Sequence, residues 1–278
     1  MNNAVPLIPS QMESPPLTVT PLTAADVDAA YALVFDEPDM LGQLLWHTRT
    51  PYAFAVKIHM WDLLSGFAYG MVHGHTGWIR EVYVHAGDFN LGMGSAMVKA
   101  LLQWMEEQGT TAQGVVARPG TENFWMKHGF VPEQELLGYS EGKFYQATRD
   151  EVIHLEPQHL LGVLHLDRRA TGEDRSTYLR EHFYLGIAWI EGTKVRGFQL
   201  PLLGRGVCVA DSPLVGFELQ RWAFNLQNEL VLPAGQTEGH EQLLKEGHTT
   251  RPLGLRMWRG DAPTMRPEMI YSWHQGVE

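Results

Sequence analysis

Val82-Tyr83-Val84-His85-Ala86-Gly87-Asp88-Phe89-Asn90-Leu91-Gly92-Met93-Gly94-Ser95-Ala96-Met97 runs from a β-branched strand through a glycine turn straight into an amphipathic helix. In that helix Met93, Ala96, Met97, Ala100, Leu101, Trp104 and Met105 recur at the spacing of one face, while Lys99, Gln103, Glu106 and Glu107 take the other. Gly92 and Gly94 let the backbone approach a ligand closely, and the first helical turn presents N–H groups with no intrahelical partner. The combination suits an anion such as a pyrophosphate. The same residues also make a tight strand-to-helix turn with no ligand, so the turn alone does not decide. Neither common nucleotide pattern is present. There is no Gly-x-x-x-x-Gly-Lys-Ser/Thr, and Gly92-Met93-Gly94 lacks the third glycine and the acidic residue of a dinucleotide fingerprint.

Downstream, Gly114-Val115-Val116-Ala117 reads as a second strand, residues 122–128 as a short helix, and Gly129-Phe130 as its end. Upstream, residues 17–22 read as a strand, and Thr23 caps a helix, with Asp26 at its third position, that runs to about Phe35 before Asp36-Glu37-Pro38 breaks it. Strands at 52–59, 66–73 and 78–85, separated by turns at Asp62 and 74–77, form an antiparallel meander leading into the glycine turn. A last strand is expected at 142–147, then a polar linker at 148–151.

The order strand, glycine turn, helix, strand, helix, Gly-Phe resembles the GCN5-related N-acetyltransferase (GNAT) superfamily, which transfers an acetyl group from acetyl-CoA to an amine. Glu81-Val82-Tyr83-Val84-His85 is similar to the family's fourth strand, Gly92-Met93-Gly94-Ser95-Ala96-Met97 to its pyrophosphate loop and helix, and Asn123-Phe124-Trp125-Met126-Lys127-His128-Gly129-Phe130 to its late helix. The resemblance implies an α/β fold with a mixed, mostly antiparallel central sheet flanked by helices. It implies acetyl-CoA as cosubstrate, held by Val82, Tyr83, Val84, Phe89, Asn90, Leu91, Gly92, Met93, Gly94, Ser95, Asn123 and Trp125. Two positions depart from the family. Phe89 stands where Gln or Arg is usual, removing a polar phosphate contact, and Trp125 replaces the Tyr that protonates the departing thiolate.

The pattern partly returns in the second half. Pro119-Gly120-Thr121-Glu122 and Trp125-Met126-Lys127-His128-Gly129 are echoed by Ala234-Gly235-Gln236-Thr237-Glu238 and Leu243-Leu244-Lys245-Glu246-Gly247, at offsets of 116 for Glu122 to Glu238 and 118 for Gly129 to Gly247. Around this echo, strands are expected at 207–210 and 229–232 and helices at 213–225 and 239–246. The glycine turn is missing: Asp211-Ser212-Pro213-Leu214 stands in its place, and Pro213 removes an N–H donor. The arrangement resembles tandem acetyltransferases with an intact N-terminal and a degenerate C-terminal domain. It implies two GNAT-like domains, 17–147 and 152–278, behind a disordered tail at 1–16, with the second domain shaping the acceptor pocket.

With 278 residues, 44% apolar and 19% charged, the chain has material for a sizeable core. Its 32 acidic and 21 basic residues, a net charge of −11, oppose binding to nucleic acid or an anionic membrane. The single Cys208 excludes an intramolecular disulfide, and neither a secretory leader nor a long apolar run is present, so a reducing, cytoplasmic setting is expected, as monomer or homodimer. His73-Gly74-His75 has no accompanying Cys or Asp cluster, so no metal site is expected. Trp46, Trp61 and Trp78 read as core.

An unprotonated amine attacks a thioester once the two are held together, so few protein groups are needed. The resemblance assigns carbonyl polarisation to a backbone N–H at Val84 or a neighbour. Glu81 and His85 are the candidate bases, each also readable as an ordinary strand side chain. Tyr83, Tyr139 and Tyr145 are the candidate proton donors left by Trp125. Two other readings stay open: a CoA-binding protein without transferase activity, and a longer-chain acyltransferase with room made by Ala53, Ala55 and Ala68.

Overall fold

The structure, a computed structural model, describes residues 17–34, 37, 39–142, 149–204, 206–224 and 229–274. Four strands, β1 (Val19–Pro21), β2 (Ala53–Met60), β3 (Leu63–His73) and β4 (Thr76–Val84), pair antiparallel in chain order as the meander requires. Between β1 and β2 lie α1 (Val27–Ala32) and α2 (Met40–Arg49). The Thr23–Asp26 capping box forms as expected, but the helix stops at Ala32, short of Phe35. The sequence reading has no counterpart for α2, which carries Gly42 and follows directly on the breaker residues. Burial of Met40, Leu44 and His47 against the sheet sustains it. Trp61 is a second correction: it sits in the β2–β3 turn with φ 55° and 68% of its surface exposed, whereas Trp78 is fully buried.

After the glycine turn, α3 (Met93–Glu107) lays Met93, Met97, Leu101 and Met105 on Ile58, Ala68, Ile79 and Val115. On the opposite face Val27, Ala30 and Leu44 pack with Phe67 and Tyr69. Then β5 (Ala112–Ala117) joins β4 in parallel, α4 (Glu122–Met126) follows, and Gly129 at φ 85° turns the chain into β6 (Val131–Ser140). The closing strand is thus at Val131–Ser140, while 143–147 lie outside the described residues. Pro132 and the polar Glu133-Gln134-Glu135 hid the strand from any hydropathy alternation.

The second half contains β7 (Val152–His154), α5 (Leu160–Thr171), α6 (Ser176–Glu181), β8 (Ile187–Glu191), β9 (Lys194–Leu200), β10 (Val207–Ala210), α7 (Pro213–Phe224), β11 (Glu229–Pro233), α8 (Thr237–Lys245), β12 (Thr249–Gly260) and β13 (Ile270–Ser272). One sheet has the order β1-β2-β3-β4-β5-β12-β6-β11 and the other β13-β10-β9-β8-β7. The halves therefore exchange strands: β12 inserts between β5 and β6, and β6 pairs with β11. Ser140 pairs with Thr249 at one end of β6–β12 and Val131 with Trp258 at the other. Adding 118 to 131 and 140 gives 249 and 258, so the register is a local two-fold with the offset that separates Gly129 from Gly247. Gly247, at φ 83°, repeats the turn of Gly129.

Where the halves meet, Met71, Trp78, Trp258 and Trp273 share one core with Leu166, Tyr178 and Phe198. Inside it, Glu173 accepts from Trp78 Nε1 at 2.8 Å and lies 2.8 Å from His73 Nε2. Arg256 reaches Glu133 at 2.5 Å and Glu173 at 3.5 Å. His73, half of the His73-Gly74-His75 pair, is thus committed to the contact between the halves.

Candidate active site

Parallel pairing of β4 and β5 runs only from Thr76–Ala112 to Ile79–Val115, although both strands continue beyond it. On the other edge of β4, Tyr69 faces Glu81 and Gly70 faces Ile79, so Arg80 is the extra residue of a bulge. A bulge bends its strand, and the strands part immediately after it. The gap opens into a cleft of about 820 Å³ lined by Glu81, Val82 and Val84 on one side and Val115, Val116 and Arg118 on the other.

The polarity of the β4 backbone follows from alternation. His85 N–H donates to Ser65 O of β3 at 2.8 Å, so the N–H of Val84, one residue earlier, turns toward the gap. Val82 N–H, on the same side, donates to Glu81 Oε1 at 3.1 Å. Glu81 Oε2 accepts from Arg118 Nη2 at 2.5 Å, across the gap from β4 to the end of β5. Its side chain is only 14% exposed, against 70% for Arg118. Burial pushes the Glu81 carboxyl up from the ordinary range, and Arg118, the Val82 N–H and Arg80 pull it part of the way back.

At the far end of the cleft the glycine turn behaves as its sequence requires. Asn90 (φ 66°) and Gly92 (φ 82°) take left-handed backbone, and the first helical bond is Ala96 N–H to Gly92 O at 3.0 Å. The N–H groups of Met93, Gly94 and Ser95 are therefore unclaimed by the helix. A Cβ on Gly94 would meet Phe124 and Val84 at 3.6–3.7 Å, so its absence widens the cleft beside those donors. Lys127 also lines this space. Open backbone donors, a bare glycine and nearby cations fit the pyrophosphate of a CoA thioester.

Of the expected site residues, Glu81, Val82, Val84, Phe89, Asn90, Gly92, Met93, Gly94, Ser95 and Trp125 line the cleft. Trp125 is 7% exposed, edge-on to Phe124 and Phe130, and offers no hydroxyl. Tyr83, His85, Leu91 and Asn123 are not among the lining residues. Tyr83 donates its hydroxyl to Leu33 O at 2.8 Å on the opposite face of the sheet. His85 has an exposed ring whose Nδ1 caps Gly87 N–H at 3.3 Å. Tyr139 is buried and shares a 2.5 Å hydrogen bond with His240, and Tyr145 lies outside the described residues. Arg118, Phe124 and Lys127 also line the cleft but are not among the site residues expected from sequence. The signal for Arg118 was its position, the first residue after the strand that faces Glu81.

The equivalent gap in the second half is occupied by the chain itself. β13 pairs with β10 through Cys208–Ser272 and Val209–Ile270, and Trp273 N–H donates to Val231 O of β11 at 2.7 Å. The ring of Tyr271 packs on Gly216 of α7 so closely that an added Cβ would come within 2.2–2.3 Å of it.

Residues 20–130 match the Acetyltransferase (GNAT) family. No curated protein sequence matches the chain. A Pyrococcus horikoshii protein assigned as an acetyltransferase shares the fold at 17% identity, TM-score 0.77, over 95% of this chain and 96% of that one. A GCN5-related N-acetyltransferase from Sphaerobacter thermophilus does so at 15% identity, TM-score 0.59, over 90% and 97%. A tandem GNAT protein from the clavulanic acid biosynthesis pathway does so at 13% identity, TM-score 0.58, over 90% and 100%. The fold is that of a tandem GNAT protein. No helix among the described residues is long and apolar enough to cross a membrane.

Proposed function

We propose that this protein transfers the acetyl group of acetyl-CoA directly to an amine within a ternary complex. The supporting observation is the gap between β4 and β5, which joins unclaimed helix N–H groups at one end to a shielded carboxylate, Glu81, at the other. In this reading the ammonium of the acceptor gives a proton to Glu81 and the freed amine attacks the thioester carbonyl. Val84 N–H stabilises the oxygen as charge develops, and the C–S bond breaks. With Trp125 in place of a hydroxyl donor, the thiolate takes its proton from water or from the amine. His85 serves as a turn cap. We read 17–147 and 152–278 as two units that exchange strands through β6 and β12, only the first of which binds CoA.

CoA release, followed with a thiol-reactive dye against polyamines, amino acids, aminoglycosides, arylalkylamines and peptide N-termini, tests the activity. Amine-dependent release supports transfer. Firm acetyl-CoA binding without release from any amine favours instead a CoA-binding module, the reading that Trp125 motivates. Gly94→Asp sets a carboxylate among the helix N–H donors where the space admits it, and is expected to weaken acetyl-CoA binding about tenfold or more by calorimetry. Unchanged affinity would remove the glycine turn from the site. Because β13 fills the second gap, the same titration is expected to saturate at one acetyl-CoA per chain, and a stoichiometry of two would overturn that assignment.

A further inference from the structure

We propose that Arg118 is a positioning residue for the general base, a clasp from the end of β5 that fixes the Glu81 carboxylate across the gap between the parted strands. The inference rests on the transferase reading for its catalytic meaning, but its geometry stands alone. Glu81 is anchored at both oxygens, Oε1 by Val82 N–H at 3.1 Å and Oε2 by Arg118 Nη2 at 2.5 Å. The first contact is local to β4 and fixes the side chain's root. The second comes from the opposite wall, so the carboxylate's orientation depends on how far the strands have parted.

The remaining groups around Glu81 cannot substitute for this contact. On β4 itself the neighbouring Arg80 also favours the charged carboxylate, and Glu37, from the segment joining α1 to α2, acts in the opposite sense. Across on β3, Tyr69 directs its hydroxyl to Gln43 of α2 at 2.5 Å. His47 of α2 is buried, held near 3 chiefly by that burial, and so neutral at working pH. Arg118 is the cation whose hydrogen bond to the carboxylate comes from the opposite wall of the gap. The Arg118 side chain is 70% exposed, which leaves its guanidinium end room to adjust as substrates enter the gap.

The test compares wild type, Arg118→Met and Arg118→Lys in the full chain. Met retains much of the aliphatic stem of this exposed side chain and removes the charge together with the guanidinium donors. The first readout needs neither CoA nor an acceptor: the Glu81 carboxyl carbon, identified by its loss in Glu81→Gln, is titrated by NMR in glutamate-labelled protein. Its midpoint is expected to rise by about one unit in Arg118→Met and to recover most of the way in Arg118→Lys. An identical midpoint in all three proteins overturns the clasp whether or not the protein is a transferase. The second readout uses any amine accepted in the dye assay. Arg118→Met is expected to move the acid limb of kcat upward in pH with little change in KM for acetyl-CoA. A raised KM for acetyl-CoA with an unmoved pH profile would instead assign Arg118 to the CoA phosphates.

Discussion

Glu81→Gln is expected to lower kcat/KM for the amine by about 100- to 10,000-fold and to leave acetyl-CoA affinity unchanged. Glutamine keeps the shape and an oxygen for Val82 N–H, so the loss reports the carboxylate charge, both as proton acceptor and as the partner of Arg118. The anion-binding end of the cleft is built from α3 N–H groups, which this substitution does not touch. The pH dependence has a definite sign. Burial raises the Glu81 carboxyl above its ordinary range, so wild-type activity falls as pH drops through that raised value, earlier than an exposed glutamate would allow, and the acid limb disappears in Glu81→Gln. His85→Ala, by contrast, removes an exposed ring that caps a turn, and is expected to change kcat/KM by about twofold at most, as for an exposed residue outside the site. Steady-state rates over a pH series check all three statements. Retained activity in Glu81→Gln would return the search for the base to the acceptor's own solution chemistry.

The parts of this site that were legible in sequence are those set by local rules. The helix after Gly92 announced itself by its 3.6-residue stripe, and the left-handed backbone at Gly92 follows from what only glycine tolerates at no cost. Glu81 was legible as the one carboxylate on the strand entering the turn. Its partner was not, because Arg118 lies 37 residues away and the contact depends on where β4 and β5 stop pairing. The strand exchange was illegible for a related reason. Arg256-Met257-Trp258-Arg259-Gly260 shows no strict alternation, since the β6 register shifts between Arg256 and Met257, and hydropathy carries no information about partner choice. The echo between Gly129 and Gly247 suggested a repeated unit, and the β6–β12 register carries the same offset of 118.

Arg256→Ala is expected to destabilise the protein by about 3–5 kcal/mol. The guanidinium is fully buried, 4.8 Å from the Trp258 ring, 5.6 Å from Trp78 and 5.9 Å from Trp273, and it is ion-paired to Glu133 and Glu173. Its removal opens a cavity among three indoles and leaves Glu173 short of a partner. Burial opposes ionisation of Glu173, yet His73, Arg256 and Arg175 hold it down to about 2. Its contribution is therefore fully present above the unfolded carboxylate range and declines progressively as pH falls from that range to about 2. Urea unfolding near neutral pH reads the loss as a lower midpoint, and an unmoved midpoint would show that the halves are held elsewhere. The same substitution bears on function, because β12 pairs with β5 from Leu255–Ala117 to Gly260–Ala112 and so supports the strand whose other edge borders the cleft. If β12 loosens, Val115, Val116 and Arg118 lose their backing, and acetyl-CoA binding should weaken even where the variant remains folded. For the same reason residues 1–148 expressed alone are expected not to fold, since their sheet would lack the strand between β5 and β6, and co-expression with 149–278 is expected to restore both solubility and acetyl-CoA binding.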